Sequence, residues 1–442
     1  MNWSLAELEA CFEGVIPSII STADADGIPN ISYLSHVAIV DDEHVALSNQ
    51  FFAKTAANIR LNPQATLLVV DGQNGAQFRL ELLFAHSMED GPLFERLSLQ
   101  VNASSAQIGM SEVMRLRLVD VFRVLSIEAV PSPVKTLKPR QPEKRRLQAT
   151  DSIADRIAAE IDAGGIVDAT LQGIRDRLGF EHGLFLHFYS ERGQVVAIGS
   201  IGYAPSGIGA EVPIGEGLIG AAAASGKTVK VSDMSRIRRF GSAIRGSMRD
   251  ENRTRSIPLP GMPGAMSQIA VPLTVHNAVE GVLFFESAER LAFTREDEAA
   301  LSIIARQAAV SLALCERLSL EAEAAARPGK TAPASENLID IVHHRFDDSL
   351  FVNGDYVIKG VAGRLLVFML EQHLESAREE FTNREIRLEA SLRLPGFKDN
   401  LETRLLLLRR RLEEKALPVR LLRLGRGKIG LDVQGEVRLT RQ

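Results

Sequence analysis

The 442-residue chain predicts a multidomain α+β fold, and three observations carry that reading. The length exceeds what one ordinary core fills, so about three domains are expected. Two stretches without apolar periodicity, 133–149 and 323–336, divide it into 1–132, 150–322 and 337–442. The first is basic and Pro-rich, and the second dissolves from helix into Pro, Gly and Ser, as linkers do. The hydrophobic pattern also changes at these points, from many strands, to alternating helix and strand, to helices framed by hairpins.

Composition sets outer limits. With 45% hydrophobic and 24% charged residues, the chain is globular rather than disordered or fibrous. The net charge of −5 hides an asymmetry: residues 1–137 hold 8 Lys/Arg against 16 Asp/Glu, and 398–442 hold 12 against 6. A basic end on an acidic protein points to a polyanion partner for that end alone. Cys11 and Cys315 form no C-x-x-C pair, which excludes a cysteine zinc site or a four-cysteine cluster. Glu7, Glu9 and Glu13 stand where a signal peptide carries cations, and no run of 18 apolar residues occurs. A cytoplasmic protein without a membrane span is expected. No Ser/His/Asp order, H-E-x-x-H or metal cluster is visible, and His343-His344 near Asp347 and Asp348 is only a weak metal candidate. No catalytic and no metal-ligating residue is therefore assigned.

In the first piece, ADADGIPN separates VIPSIIST from ISYLSHVAIV as a hairpin turn would. HVALSN, ATLLVVD, QFRLELLFAH and VDVFRVLSIEAV bring the count to about six strands, with a helix near 91–101. Between them FFAKTAANIRLNP reads as a short helix ended at Asn62-Pro63, because the residue before proline leaves helical geometry. A lysine at a helix start beside free N–H groups makes a dianion site. The order from DGIPN to LLVVD resembles the pyridoxamine 5′-phosphate oxidase-like split barrel, a family that binds FMN at a dimer interface. The resemblance implies that Lys54 contacts the flavin phosphate, with Ser48, Asn49 and Thr55 completing the cofactor-binding set. Two departures weigh against pyridoxal phosphate synthesis: Ala53 stands where the family has arginine, and the Arg-rich, Trp-containing substrate segment is missing.

The second piece opens with a helix over 152–178, apolar at Ile153, Ile157, Ile161, Ile166, Leu171 and Ile174. GLFLHFYS with QVVAIGS, and QIAVPLTV with VEGVLFFES, read as hairpins, and Thr294 caps a long final helix with Glu296 and Asp297 in its first turn. VPIGEGLIGAAAASGKTVKVSD, SQIAVPLTV, GVLFFES and AFTREDEAAL resemble a GAF domain, a PAS-like fold, over nearly all of 150–318. The resemblance implies a small-molecule effector whose identity is open. Gly215, Gly217 and Gly220 satisfy G-x-G-x-x-G, but only Glu211 to Ile214 precede them, too little strand for a dinucleotide fold. Gly226-Lys227-Thr228 lacks the first glycine of a Walker A motif. His182 and His187 flank a strand and read as core or surface imidazoles. Five arginines, Arg236, Arg238, Arg239, Arg245 and Arg249, crowd a loop over the expected pocket mouth.

The third piece reads as hairpin, three helices and a basic terminal hairpin, which together make a winged helix. Its helices are GRLLVFMLEQHLESARE, a short one capped by Thr382 with Glu385, and KDNLETRLLLLRRRLEEKA capped by Asn400 or Asp399. It resembles the effector domain of response regulators. Leu401, Leu405, Leu408 and Leu412 share one stripe and face the core, leaving Thr403, Arg404, Arg410 and Arg411 to reach DNA. Arg423, Arg426 and Lys428 crowd the wing as phosphate contacts. The expected protein is a ligand- or flavin-responsive, DNA-binding transcriptional regulator that forms a homodimer. An FMN-dependent oxidoreductase with regulatory domains is the alternative, and a non-catalytic signalling scaffold the second.

Overall fold

The computed structural model describes residues 3–14, 16–34, 36–49, 53–72, 74–107, 116–131, 146–234, 255–321, 338–392, 394 and 400–442. The first domain is a curled antiparallel sheet built from β1 (Ser18–Ala23), β2 (Pro29–Leu34), β3 (Val37–Ile39), β4 (His44–Asn49), β5 (Gln64–Val70), β6 (Gln77–Met88) and β7 (Leu118–Val130). The order is β2-β1-β5-β6-β7-β4-β3, one strand more than expected because ISYLSHVAIV divides into β2 and β3. Helix α1 (Ala53–Leu61) follows β4, and α2 (Pro92–Gln107) joins β6 to β7. Ile20, Val45, Leu67, Leu80 and Phe122 alternate inward and form this domain's own core. On the edge strand β2, Ile31 and Tyr33 point outward instead, with Tyr33 69% exposed.

The second domain begins with two helices where one was expected, α3 (Arg146–Ala159) and α4 (Ala163–Leu178). Asp162 explains the break. Its carboxylate accepts the Gly165 N–H at 2.9 Å, so it starts a new helix instead of continuing the old one. Strands β8 (His182–Tyr189), β9 (Gln194–Ile201) and β10 (Glu211–Pro213) lead to α5 (Gly217–Ser225), then β11 (Val229–Val231), β12 (Ser267–Val275), β13 (Ala278–Ser287) and α6 (Arg295–Glu321). The sheet order is β10-β9-β8-β13-β12-β11. Thr294 caps α6 as expected: its hydroxyl accepts the Asp297 N–H at 3.2 Å, and Asp297 accepts the Thr294 N–H at 3.0 Å. By length and composition alone, Arg295–Ser319 is apolar enough to cross a membrane, which counting uninterrupted apolar runs did not reveal. Here Leu301, Ile304, Ala308 and Leu312 are buried in the core, while Ile303, Val310 and Leu314 form an exposed stripe.

The third domain comprises β14 (Leu338–His344), β15 (Ser349–Val352), β16 (Asp355–Ile358), α7 (Val361–Ser376), β17 (Glu380–Thr382), α8 (Asn383–Leu388), α9 (Leu401–Glu414), β18 (Val419–Gly425), β19 (Lys428–Val433) and β20 (Glu436–Arg441). It has a four-stranded sheet, β16-β15-β14-β20, and a three-stranded sheet, β17-β19-β18. The caps match the sequence reading: Thr382 accepts the Glu385 N–H at 3.3 Å, and Asn400 accepts the Thr403 N–H at 3.1 Å. Strands β14 and β20 were not foreseen, and they pair in parallel.

The two junctions between domains differ in kind. One apolar cluster runs without interruption from Ile153, Ile166 and Leu312 of the second domain to Leu365, Leu405 and Leu408 of the third. Fully burying a leucine contributes about 1.5–3 kcal/mol, so these two domains stabilise each other through packing. The first domain meets the second through ion pairs instead: Glu9–Arg295 at 3.1 Å, Glu13–Lys230 at 2.8 Å and Glu95–Lys227 at 2.7 Å. The acidic surplus of the first domain is thus matched by cations of its neighbour.

Candidate cofactor and nucleic-acid sites

Lys54 lies exposed in the first turn of α1, with no hydrogen bond or ion pair among the described residues. It is free to meet an anion. The other three residues of the expected set are engaged internally. The Ser48 hydroxyl accepts the His36 N–H at 3.1 Å and is buried, and the Asn49 amide donates to Asp120 at 2.9 Å. The Thr55 hydroxyl is within 3.0 Å of both the Asn30 amide and the Ser32 hydroxyl. Phe51 and Phe52 lie outside the described residues. Within one chain, then, the residues fit a flavin phosphate only in part: one lysine at a helix start, flanked by side chains that fix the loop.

In the second domain, the short strand β10 and the nine-residue α5 surround Gly220, where a Cβ would sit 2.4 Å from the Pro213 carbonyl oxygen. The glycines serve a tight turn, as their context implied. On this side of the sheet Leu184, Leu186, Ala197, Val282 and Phe284 pack with Ile257 and, from the third domain, Tyr356. At its margin sits a site that sequence reading missed. The buried Glu286 carboxylate accepts from Tyr203 Oη at 2.8 Å, Met262 N–H at 2.8 Å and Gln268 Nε2 at 2.6 Å. Burial and this carboxylate push the Tyr203 phenol well above its ordinary value. The available signal was the cross-strand register that places Gln268 opposite Glu286. His182 stacks edge-on against Tyr203 at 5.4 Å, and His187 is buried with Nδ1 unpartnered. Both therefore fit the packing roles expected of them. The five loop arginines, Arg236 to Arg249, lie outside the described residues. His343 Nε2 is 3.3 Å from Asp348, but no group of three metal-binding side chains occurs among the described residues.

The face of α9 expected to reach DNA is covered. Leu401, Leu405, Leu408 and Leu412 are buried as the stripe predicts, yet Thr403, Arg404 and Arg411 are also buried, at 0%, 3% and 2% exposure. The Arg404 guanidinium stacks 4.1 Å over the Tyr189 ring. Arg410 donates to the Ile198 carbonyl oxygen at 2.5 Å and to Asp168 at 2.7 Å, and burial lowers its pKa despite that carboxylate. Arg411 donates to the Val357 carbonyl oxygen at 3.1 Å and to Glu414 at 2.7 Å. In the β18–β19 hairpin, Arg423 pairs with Asp162, Lys428 is half-buried, and Arg426 is exposed. The assignment of a solvent-facing basic side to α9 is therefore corrected for this arrangement: helical spacing separated leucines from arginines, but the second domain receives Arg404 and Arg410 and the third domain's own Val357 and Glu414 receive Arg411. Of the seven expected DNA contacts, only Arg426 is exposed, while Arg423 and Lys428 are half-buried.

Residues 5–125 match the family model described as Pyridoxamine 5'-phosphate oxidase, and residues 160–313 match the model described as GAF domain. The chain carries a pyridoxamine 5′-phosphate oxidase-like barrel and a GAF domain. Among solved structures, an FMN-binding protein from Syntrophomonas wolfei is similar at 18% identity over 29% of this chain and 87% of that one, with a TM-score of 0.25. The GAF domain of an Acinetobacter phosphoenolpyruvate-protein phosphotransferase is 18% identical over 39% and 95%, with a TM-score of 0.33. A free methionine-R-sulfoxide reductase from Neisseria meningitidis is 20% identical over 40% and 92%, with a TM-score of 0.31. No curated protein matches the chain.

Proposed function

We propose that the chain is a ligand- or flavin-responsive, DNA-binding transcriptional regulator whose third domain is a winged helix held here in a docked state. The observation that carries this reading is the Arg410 contact with Asp168 and Ile198, which places a basic helix against the GAF domain instead of solvent. The hairpin, three helices and terminal hairpin support the winged-helix assignment, and the basic residues 398–442 support a polyanion partner. An effector acting on the barrel or GAF domain would release α9. Moving such an equilibrium from 1:99 to 99:1 requires about 5.5 kcal/mol of differential binding, so a tight effector or a second copy of the chain is needed.

A homodimer fits this mechanism. The exposed α6 stripe of Ile303, Val310 and Leu314 and the outward Ile31 and Tyr33 of β2 are apolar surfaces that a second copy would cover. FMN belongs to the proposal through Lys54, with the rest of the site supplied by the partner chain. The visible spectrum of the purified protein tests this, since flavin absorbance that Lys54→Ala removes supports it and a colourless protein sinks it. DNA binding is tested by gel shift with the protein's own upstream DNA. Binding should fall steeply with salt and be lost in Arg426→Ala combined with Lys428→Ala. No shift in any state would favour the second reading, a winged helix used for protein contact. The apolar core continuous between the GAF and third domains supports that alternative.

A further inference from the structure

Two cavities, of about 630 and 560 Å³, lie along the seam between the barrel and the GAF domain. They meet at Arg96 and Gln100 of α2 and at Glu298, Ser302 and Arg306 of α6, which line both. Volumes in this range hold small-molecule ligands.

Charge around this space is unevenly satisfied. Lys227, Lys230 and Arg295 each have a barrel carboxylate within 3.1 Å, in Glu95, Glu13 and Glu9. Among the described residues, Arg96 and Arg306 have none. Arg96 donates only a long bond, 3.4 Å, to the Ile39 carbonyl oxygen, and Arg306 makes no hydrogen bond or ion pair among the described residues. Glu298 is shared with Lys230 at 3.8 Å. Both arginines are exposed at the cleft, and the positive charge of Arg295 beside Arg96 opposes the pull of Glu298, so the local field favours an incoming anion. His36 lines the larger cavity with its Nδ1 buried and unpartnered, and burial holds it neutral. It offers a hydrogen-bonding group without adding charge.

We propose that this cleft binds a small anion carrying two or more phosphate or carboxylate groups, held between Arg96 of the barrel and Arg306 of the GAF domain. A guanidinium presents a planar fork that matches either group bidentately, and two forks on helices from different domains would close the seam on a ligand with two acidic ends. The site also connects to the rest of the molecule. Arg306 lies ten residues, about 15 Å, before Glu316 on α6, and Glu316 accepts the Glu402 N–H of α9 at 3.0 Å and pairs with Arg387. Its role as the effector site rests on the regulator reading, whereas its existence does not.

The test is calorimetric titration of the full chain, in chloride buffer, with pyrophosphate and separately with citrate. Saturable binding of either is expected, weakened about tenfold in Arg96→Ala and in Arg306→Ala and lost in the double variant. Arg306→Lys, which keeps the charge but not the fork, should fall between, and Arg175→Ala, on α4 and outside the lining of both cavities, should bind like the parent. Preference for pyrophosphate assigns a phosphate ligand, and preference for citrate a carboxylate. Absence of saturable binding up to about 10 mM of both anions, or binding that survives the double variant, overturns the site. Gel shifts run in parallel separate the two claims: anion binding that leaves DNA affinity unchanged keeps the site and removes its link to regulation.

Discussion

Arg410 Nη2 lies 2.7 Å from Asp168 Oδ1 while Nη1 lies 2.5 Å from the Ile198 carbonyl oxygen, so one side chain of α9 ties two elements of the GAF domain. Asp168 is half-exposed, which limits its pair with Arg410 to about 0.5–1 kcal/mol. Asp162, paired with Arg423 of β18, is a second such latch. Asp162→Ala with Asp168→Ala is expected to raise the undocked population about five- to tenfold. Hydrogen exchange in 401–414 should accelerate accordingly. If those amides stay as protected as in the parent, the carboxylates do not hold the docked state.

A core shared by two domains should unfold as one. Leu408 is fully buried within the cluster that joins the GAF and third domains, and Leu408→Ala should cost about 2–5 kcal/mol. Calorimetry of the full chain should show two transitions, one for the barrel and one for the GAF and third domains together. The variant should lower only the second. A separate third transition, or a shift confined to it, would show that the third domain is an independent module.

The barrel should respond to salt where the third domain does not. Glu9–Arg295 and Glu95–Lys227 are exposed pairs, and screening at about 1 M salt reduces the Debye length to roughly 3 Å. The Glu13–Lys230 pair is largely buried and is also supported by Ser232, so it should be the last to open. Solution scattering should therefore show the barrel separating as salt rises, with Glu13→Gln lowering the salt needed. A radius of gyration constant up to 1 M salt would refute a seam held by charge.

How far the sequence reveals this architecture depends on which force sets each feature. Caps at Thr294, Thr382 and Asn400 are local, and each accepts the N–H that its spacing foretells. Hairpins bounded by turn residues are local too, and β8–β9, β12–β13, β15–β16 and β18–β19 all pair as expected. The break at Asp162 was hidden because apolar spacing continues through Ile161, which the structure leaves exposed. β20 was illegible for another reason: EVRLTR offers only Val437 and Leu439 on its apolar face, too short an alternation to mark a strand, and it is held in place by pairing with β14. The arginines of α9 show the largest gap. A single-domain reading treats every cation off the leucine stripe as solvent-facing, and nothing local in LETRLLLLRRR marks Tyr189 or Asp168 as its partner.

Acid should weaken the GAF domain through a histidine. His187 is buried between strands with Nδ1 unpartnered, and burial together with the Arg404 guanidinium lowers its pKa from 6.5 to about 3. Below 6.5 the unfolded chain takes up a proton that the folded one refuses. The stability contributed is thus present above 6.5 and is lost as pH falls towards 3. The slope for one such group is about 1.4 kcal/mol per pH unit, large enough to lower the melting temperature of the shared GAF and third-domain transition between pH 6 and 4. His36, lowered to about 4 by burial, should give the barrel a parallel but separate loss. His187→Phe should flatten the dependence of the shared transition and leave that of the barrel intact. An unchanged slope in that variant would mean that other groups carry the acid sensitivity.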